Sequence, residues 1–106
     1  SIIAEGDMTY KMCGDDLYVY LYGEFDDSVA KTIRENIDML IDSFVFSRLV
    51  IDMRDVSFMD STGIGVILGR YKKLRSLGRK LSVKNVNFQV DKVFSMCGIY
   101  DIVSKL

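Results

Sequence analysis

A chain of 106 residues is long enough to bury one substantial core and too short for two. Its composition, 49% hydrophobic and 27% charged, is that of an ordinary globular domain. A formal net charge of -1 gives no electrostatic reason to bind DNA, RNA or an anionic membrane surface. The chain has no histidine, which removes the commonest general base at neutral pH and every Ser-His-Asp or Cys-His arrangement, and so weighs against a hydrolase.

The apolar runs are a few residues long, against the roughly 20 needed to cross a bilayer. The N-terminal "SIIAEGDMTY" lacks the basic start and long apolar stretch of a secretory signal, and it lacks an initiator Met, as a processed or trimmed chain would. Two cysteines, Cys13 and Cys97, are too few for a disulfide scaffold or, without histidine, a zinc site. Reduced thiols in a cytoplasmic protein are the expectation.

In chain order, "MTYKM" (8–12) and "LYVYLYG" (17–23) alternate around a turn-like "CGDD", which predicts an antiparallel hairpin. Leu17, Val19 and Leu21 share one face of the second strand; Tyr18, Tyr20 and Tyr22 share the other, which reads as a half-covered sheet face ahead of a ligand platform. The period then switches. Val29, Ile33, Ile37, Leu40, Ile41 and Phe44 form a helical stripe, with Asp27 or Ser28 as the expected N-cap.

"RLVIDM" (48–53) is a short apolar run, as in a central parallel strand. Ile64, Ile67, Leu68, Tyr71 and Leu74 recur at helical spacing, with basic residues in the last turns and Gly78 as the stop. "KLSVKNV" (80–86) is a strand, Val90, Val93, Phe94 and Cys97 mark a short helix, and "IYDIV" (99–103) is expected to be a final short strand. The order β-β-α-β-α-β-α-β predicts an α/β fold with a mixed sheet, an initial hairpin followed by parallel strands.

Chemistry concentrates at "SFMDSTGIGVILGRY" (57–71), where a central strand hands over to a helix. Gly63, Gly65 and Gly69 superficially fit a dinucleotide fingerprint. However, about nine residues separate the strand's expected end near Met53 from the first glycine, and the next strand brings no acidic residue for a ribose. Gly69 is followed by Arg70 and Tyr71, not by the Lys-Ser/Thr of a phosphate loop. Asp52 and Asp60 suggest a phospho-aspartate receiver, but the early strands end in "KMCG" and "YLYG" without its acidic cluster. Simple capping of a helix by Asp60 or Ser61, worth about 1 kcal/mol, is the better account of the local pattern taken alone.

The residues also resemble a known family. "VSFMDSTGIGVILGRYKKLRSLGRKLSV", together with "GEFDDSVA" and "VFSMCGIYDIV", looks like the STAS domain of anti-sigma-factor antagonists and sulfate-transporter tails. It is most similar to the sporulation antagonists of the stage II AA type. The resemblance spans essentially residues 1–106, read as one STAS domain with the helices mainly on one face of the sheet.

It implies that Ser61 is phosphorylated by a partner anti-sigma factor that is a serine kinase. The unphosphorylated form would bind that factor and free a sigma factor, and a separate serine phosphatase would reset the switch. The chain would then be no enzyme, with no cofactor, metal or nucleic-acid partner and no membrane association.

Around Ser61, the resemblance and the residue chemistry assign supporting roles. Asp60 orients the serine or caps the helix. Asp26 lies near the motif or caps the preceding helix. Thr62 is a fallback phosphoacceptor or a small polar filler, Ile64 is exposed for the partner or packed in the core, and Gly63 and Gly65 permit close approach of a partner or a strand. A phosphate on Ser61 is expected to meet free amides at the helix start.

Two departures stand out. "DSVA" follows Asp26 where the sporulation proteins carry histidines, and the chain stops before the final amphipathic helix of many members. An exposed apolar sheet face and a weak homodimer would follow from the second. The alternatives are the regulatory tail of a membrane anion transporter and a small nucleotide-binding module.

Overall fold

The computed structural model describes residues 2–3 and 8–106, with side chains from residue 8 onward, so the signal-sequence reading of the first residues lies largely outside the described residues. The elements are β1 (Ile2–Ile3), β2 (Met8–Cys13), β3 (Asp16–Phe25), α1 (Asp27–Ser43), β4 (Arg48–Met59), α2 (Ser61–Ser76), β5 (Lys80–Lys84), α3 (Phe88–Met96), a 3-10 turn (Ile99–Asp101) and β6 (Ser104–Lys105). All strands lie in one sheet in sequence order, antiparallel from β1 to β3 and parallel from β3 to β6. This is the expected α/β architecture with the short β1 added at its edge.

The crossovers β3-α1-β4, β4-α2-β5 and β5-α3-β6 all step the same way along the sheet, so right-handed connection puts the helices on one face. Towards them point Leu17, Val19 and Leu21 of β3, with Leu49, Ile51 and Met53 of β4 and Leu81 and Val83 of β5. The α1 stripe Ala30, Ile33, Ile37, Leu40 and Ile41 and the α2 residues Ile64, Ile67 and Leu74 close that core. The hairpin turn has Gly14 at φ 60 between the paired Cys13 and Asp16, a conformation that glycine adopts without strain. No described helix is long and apolar enough to cross a membrane.

The opposite face is not the apolar surface expected from a missing terminal helix. It carries Tyr18 and Tyr20, half-buried and stacked at 6.1 Å, with Lys84 Nζ 5.7 Å from the Tyr18 ring and Asp52, Ser82 and Lys84 in register beside them. Rings and polar side chains cover Val50, which is fully buried.

Three expectations change. β4 runs to Met59, six residues beyond Met53, because two register shifts against β3 insert extra residues in β4. Its buried positions then recur as Met53, Val56 and Met59, every third residue, which hides the alternation of a strand. Ile99–Val103 is not a strand: Gly98 turns the chain at φ 72, and Ile99 and Val103 are buried together at helical spacing, with Val103 N donating to Ile99 O at 2.9 Å. The strand follows, at Ser104–Lys105. Finally, among the caps considered for α1 the structure has Asp26, not Asp27 or Ser28.

Candidate functional site at paired helix starts

Two parallel strands end side by side, and each is followed by an aspartate and a helix. Phe25 of β3 pairs with Met59 of β4, and Asp60 N donates to Phe25 O at 3.3 Å. Asp26 and Asp60 therefore leave adjacent strand ends and start adjacent helices. The Asp26 Oδ1 accepts from Ser28 N at 3.0 Å and from Ser28 Oγ at 2.5 Å. The serine hydroxyl is the main cause that holds this carboxyl below its ordinary value. Asp60 Oδ1 accepts from Thr62 N at 2.9 Å and Gly63 N at 3.3 Å.

Ser61 is the first residue of α2 and is exposed; among the described residues nothing hydrogen-bonds its hydroxyl. The structure thus gathers Asp26, Asp60, Ser61 and Thr62 on one rim. The expectation of free amides for a phosphate is corrected, because Asp60 already holds those of Thr62 and Gly63. A phosphate on Ser61 has to share the helix start with a carboxylate, so repulsion offsets part of the attraction of the helix dipole.

The other three sequence-derived positions separate. Ile64 is buried in the core and not displayed to a partner. Gly63 is also buried, and a Cβ there would lie 2.7 Å from Met59 Cγ and 3.0 Å from Phe25 O, so its smallness serves the packing of α2 on the strand ends. Gly65 is exposed with nothing within 4 Å of where its Cβ would be, so packing within the domain does not require glycine there.

Two residues missed in the sequence hold the approach to Ser61. Pairing of β5 with β4 stops at Asp52 and Lys84, so the last turns of β4 have no strand on that side. Side-chain amides take its place: Gln89 Oε1 accepts from Met59 N at 3.3 Å and Gln89 Nε2 donates to Met59 O at 3.3 Å. Asn87 Nδ2 donates to Val56 O at 2.9 Å while its Oδ1 caps α3 through Val90 N at 2.9 Å. Asn87 just before an apolar helical stripe was a readable cap signal; nothing in the local sequence points to Gln89.

The receiver reading loses Asp52. This carboxylate is buried and already accepts from Arg54 N at 3.0 Å and from Asn85 Nδ2 at 3.0 and 3.1 Å. The spacing objection to a dinucleotide site also falls, since β4 ends at Met59, four residues before Gly63. What still opposes that reading is Asn85, a neutral residue, just beyond the end of β5.

With this geometry in place, the family model described as "STAS domain" matches residues 8–106. The chain belongs to the STAS domain family. This STAS chain is 36% identical over 87 residues to the anti-sigma F factor antagonist of Paenibacillus polymyxa, covering 82% of this chain and 74% of that relative. It is 33% identical over 89 residues to the anti-sigma-B factor antagonist of Bacillus subtilis (strain 168), covering 84% and 80%. In fold it is similar to the anti-sigma factor antagonist SpoIIAA in its unphosphorylated form, with a TM-score of 0.80 and 26% identity over 93% of this chain and 87% of that one.

Chemically, the STAS site offers two exposed hydroxyls at the start of α2, those of Ser61 and Thr62, neither with a hydrogen-bond partner among the described residues, beside the carboxylates of Asp26 and Asp60. The chain has no histidine, and the Oδ1 atoms of Asp26 and Asp60 accept from residues of their own helix starts.

Proposed function

We propose that this domain is an anti-sigma factor antagonist and not an enzyme. Its unphosphorylated form binds an anti-sigma factor that is also a serine kinase, and so releases the sigma factor. The kinase transfers the γ-phosphoryl group of ATP to Ser61 Oγ, ADP leaves and the hydroxyl proton is lost. The phosphorylated form no longer binds, and a serine phosphatase restores it by hydrolysis. All of this takes place in the cytoplasm.

The observation that carries the reading is the exposed, unengaged Ser61 hydroxyl on the carboxylate-lined rim, in a chain whose curated relatives are anti-sigma factor antagonists. Phosphorylation adds about -1.5 to -2 charges there. Beside Asp26, Asp27 and Asp60 it blocks docking by local charge and bulk, without refolding the domain. Gly65 gives the partner's surface room to approach one turn along α2. Thr62 is exposed next to the acceptor but does not replace it.

Binding measurements test this directly. Ser61→Ala is expected to retain affinity for the anti-sigma factor, and Ser61→Asp to lose roughly tenfold or more. Equal binding by the two variants overturns the proposed switch.

A further inference from the structure

On the outer side of the helical layer, α1 and α2 do not close against each other along their length. Ala30 of α1 and Thr62, Gly65 and Gly69 of α2 are small, and between the helices lies a groove of about 480 Å³ that starts beside Ser61. Lys31, Arg34 and Arg70 line it, with Asp27 at the serine end. Lys31 and Arg34 are exposed and, among the described residues, pair with no carboxylate.

Arg70 differs from these two in being only 9% exposed. Its Nε lies 2.9 Å from Asp38 Oδ1, a charge contact without hydrogen-bond alignment, and its Nη1 is buried with no hydrogen-bond partner. Burial holds this guanidinium below its ordinary value, Asp38 opposes that, and Arg34 adds repulsion. A buried N–H without an acceptor and two cations without counter-charges are both relieved by one entering oxyanion.

We propose that this groove receives an acidic side chain of the protein that docks at Ser61. The inference rests on the antagonist reading above and specifies the partner's surface. Thr62 to Gly69 spans seven residues, about 10 Å of helix, so the partner presents its carboxylate about that far from the group that meets the serine. Ala30 and Val66 give the methylene stem of a glutamate an apolar wall. The docking face is bipolar: Asp26, Asp27 and Asp60 gather at the serine and Lys31, Arg34 and Arg70 along the groove, so the complementary partner carries a base followed by an acid.

The test is calorimetric titration of the unphosphorylated domain with its anti-sigma factor at several salt concentrations. Arg34→Glu and Lys31→Glu, both at exposed positions and checked by thermal melting, are expected to weaken the complex roughly tenfold or more and to flatten its salt dependence. Reversing the partner's acidic residue to lysine is expected to restore binding to Arg34→Glu. If both variants bind within about twofold of the unaltered domain, the groove proposal is overturned and the antagonist reading stands. If the unaltered domain binds no anti-sigma factor, both fall.

Discussion

A methyl group at Gly63 would sit 2.7 Å from Met59 Cγ and 3.0 Å from Phe25 O, whereas one at Gly65 would meet nothing within 4 Å. Gly63→Ala gains about 1 kcal/mol of helix propensity, but overpacking costs about 1–3 kcal/mol, so a net loss of about 1 kcal/mol is expected in urea unfolding. Gly65→Ala is expected to gain up to about 1 kcal/mol and yet to bind the anti-sigma factor less well. Asp60 can be dissected in the same way. Asp60→Asn keeps the cap to Thr62 N and Gly63 N and is expected to be nearly neutral in stability, whereas Asp60→Ala is expected to lose about 1 kcal/mol. If Asp60→Asn is as unstable as Asp60→Ala, the carboxylate is more than a cap.

At the scale of elements, Gln89 ties α3 to the end of β4 through both backbone groups of Met59, one residue before Asp60. Gln89→Ala is expected to speed hydrogen exchange at the Met59 amide and slow phosphorylation of Ser61, while distant β2–β3 amides keep their protection. Unchanged exchange at Met59 would remove the clamp from the account. The last strand offers a pH test. Asp91 accepts from Lys105 Nζ at 2.8 Å and from the Tyr100 hydroxyl at 2.5 Å, and these bonds, Lys105 first, hold its carboxyl below the ordinary 3.8. A depressed carboxyl stabilises above its unfolded value and loses that contribution as pH falls through the folded one. Backbone shifts of Lys105 and Leu106 are therefore expected to move as pH falls below 3.8, and Lys105→Met to shrink the change.

How far these elements were legible follows from their periods. The α1 stripe and the Leu17-Val19-Leu21 alternation were readable because each keeps one face against one neighbour. The second half of β4 was not, because extra residues against β3 turn its burial into a period of three. Arg70 was hidden for a different reason. It looks like one more cation of a basic helix end, and only the packing of α1 on α2 buries it. Of the site, Asp60 and Ser61 were visible as a helix start, but their adjacency to Asp26 needed the parallel pairing of Phe25 with Met59.

For the whole molecule, consecutive parallel strands with crossovers on one side bring the starts of α1 and α2 to the same edge of the sheet. A charge added at that edge is therefore expected to change binding while the core behind it stays as it is. Phosphorylation is expected to shift amide resonances around Asp26 and Asp60–Gly65 and to leave those of the β2–β3 hairpin in place; shifts spread through the hairpin would contradict a local switch. The most direct measurement is to incubate the domain with the proposed anti-sigma factor kinase and ATP and to map the phosphate by mass spectrometry. One phosphate is expected, on Ser61, and none on Ser61→Ala. Labelling that persists in Ser61→Ala, or that lies on Thr62 in the unaltered chain, would contradict it.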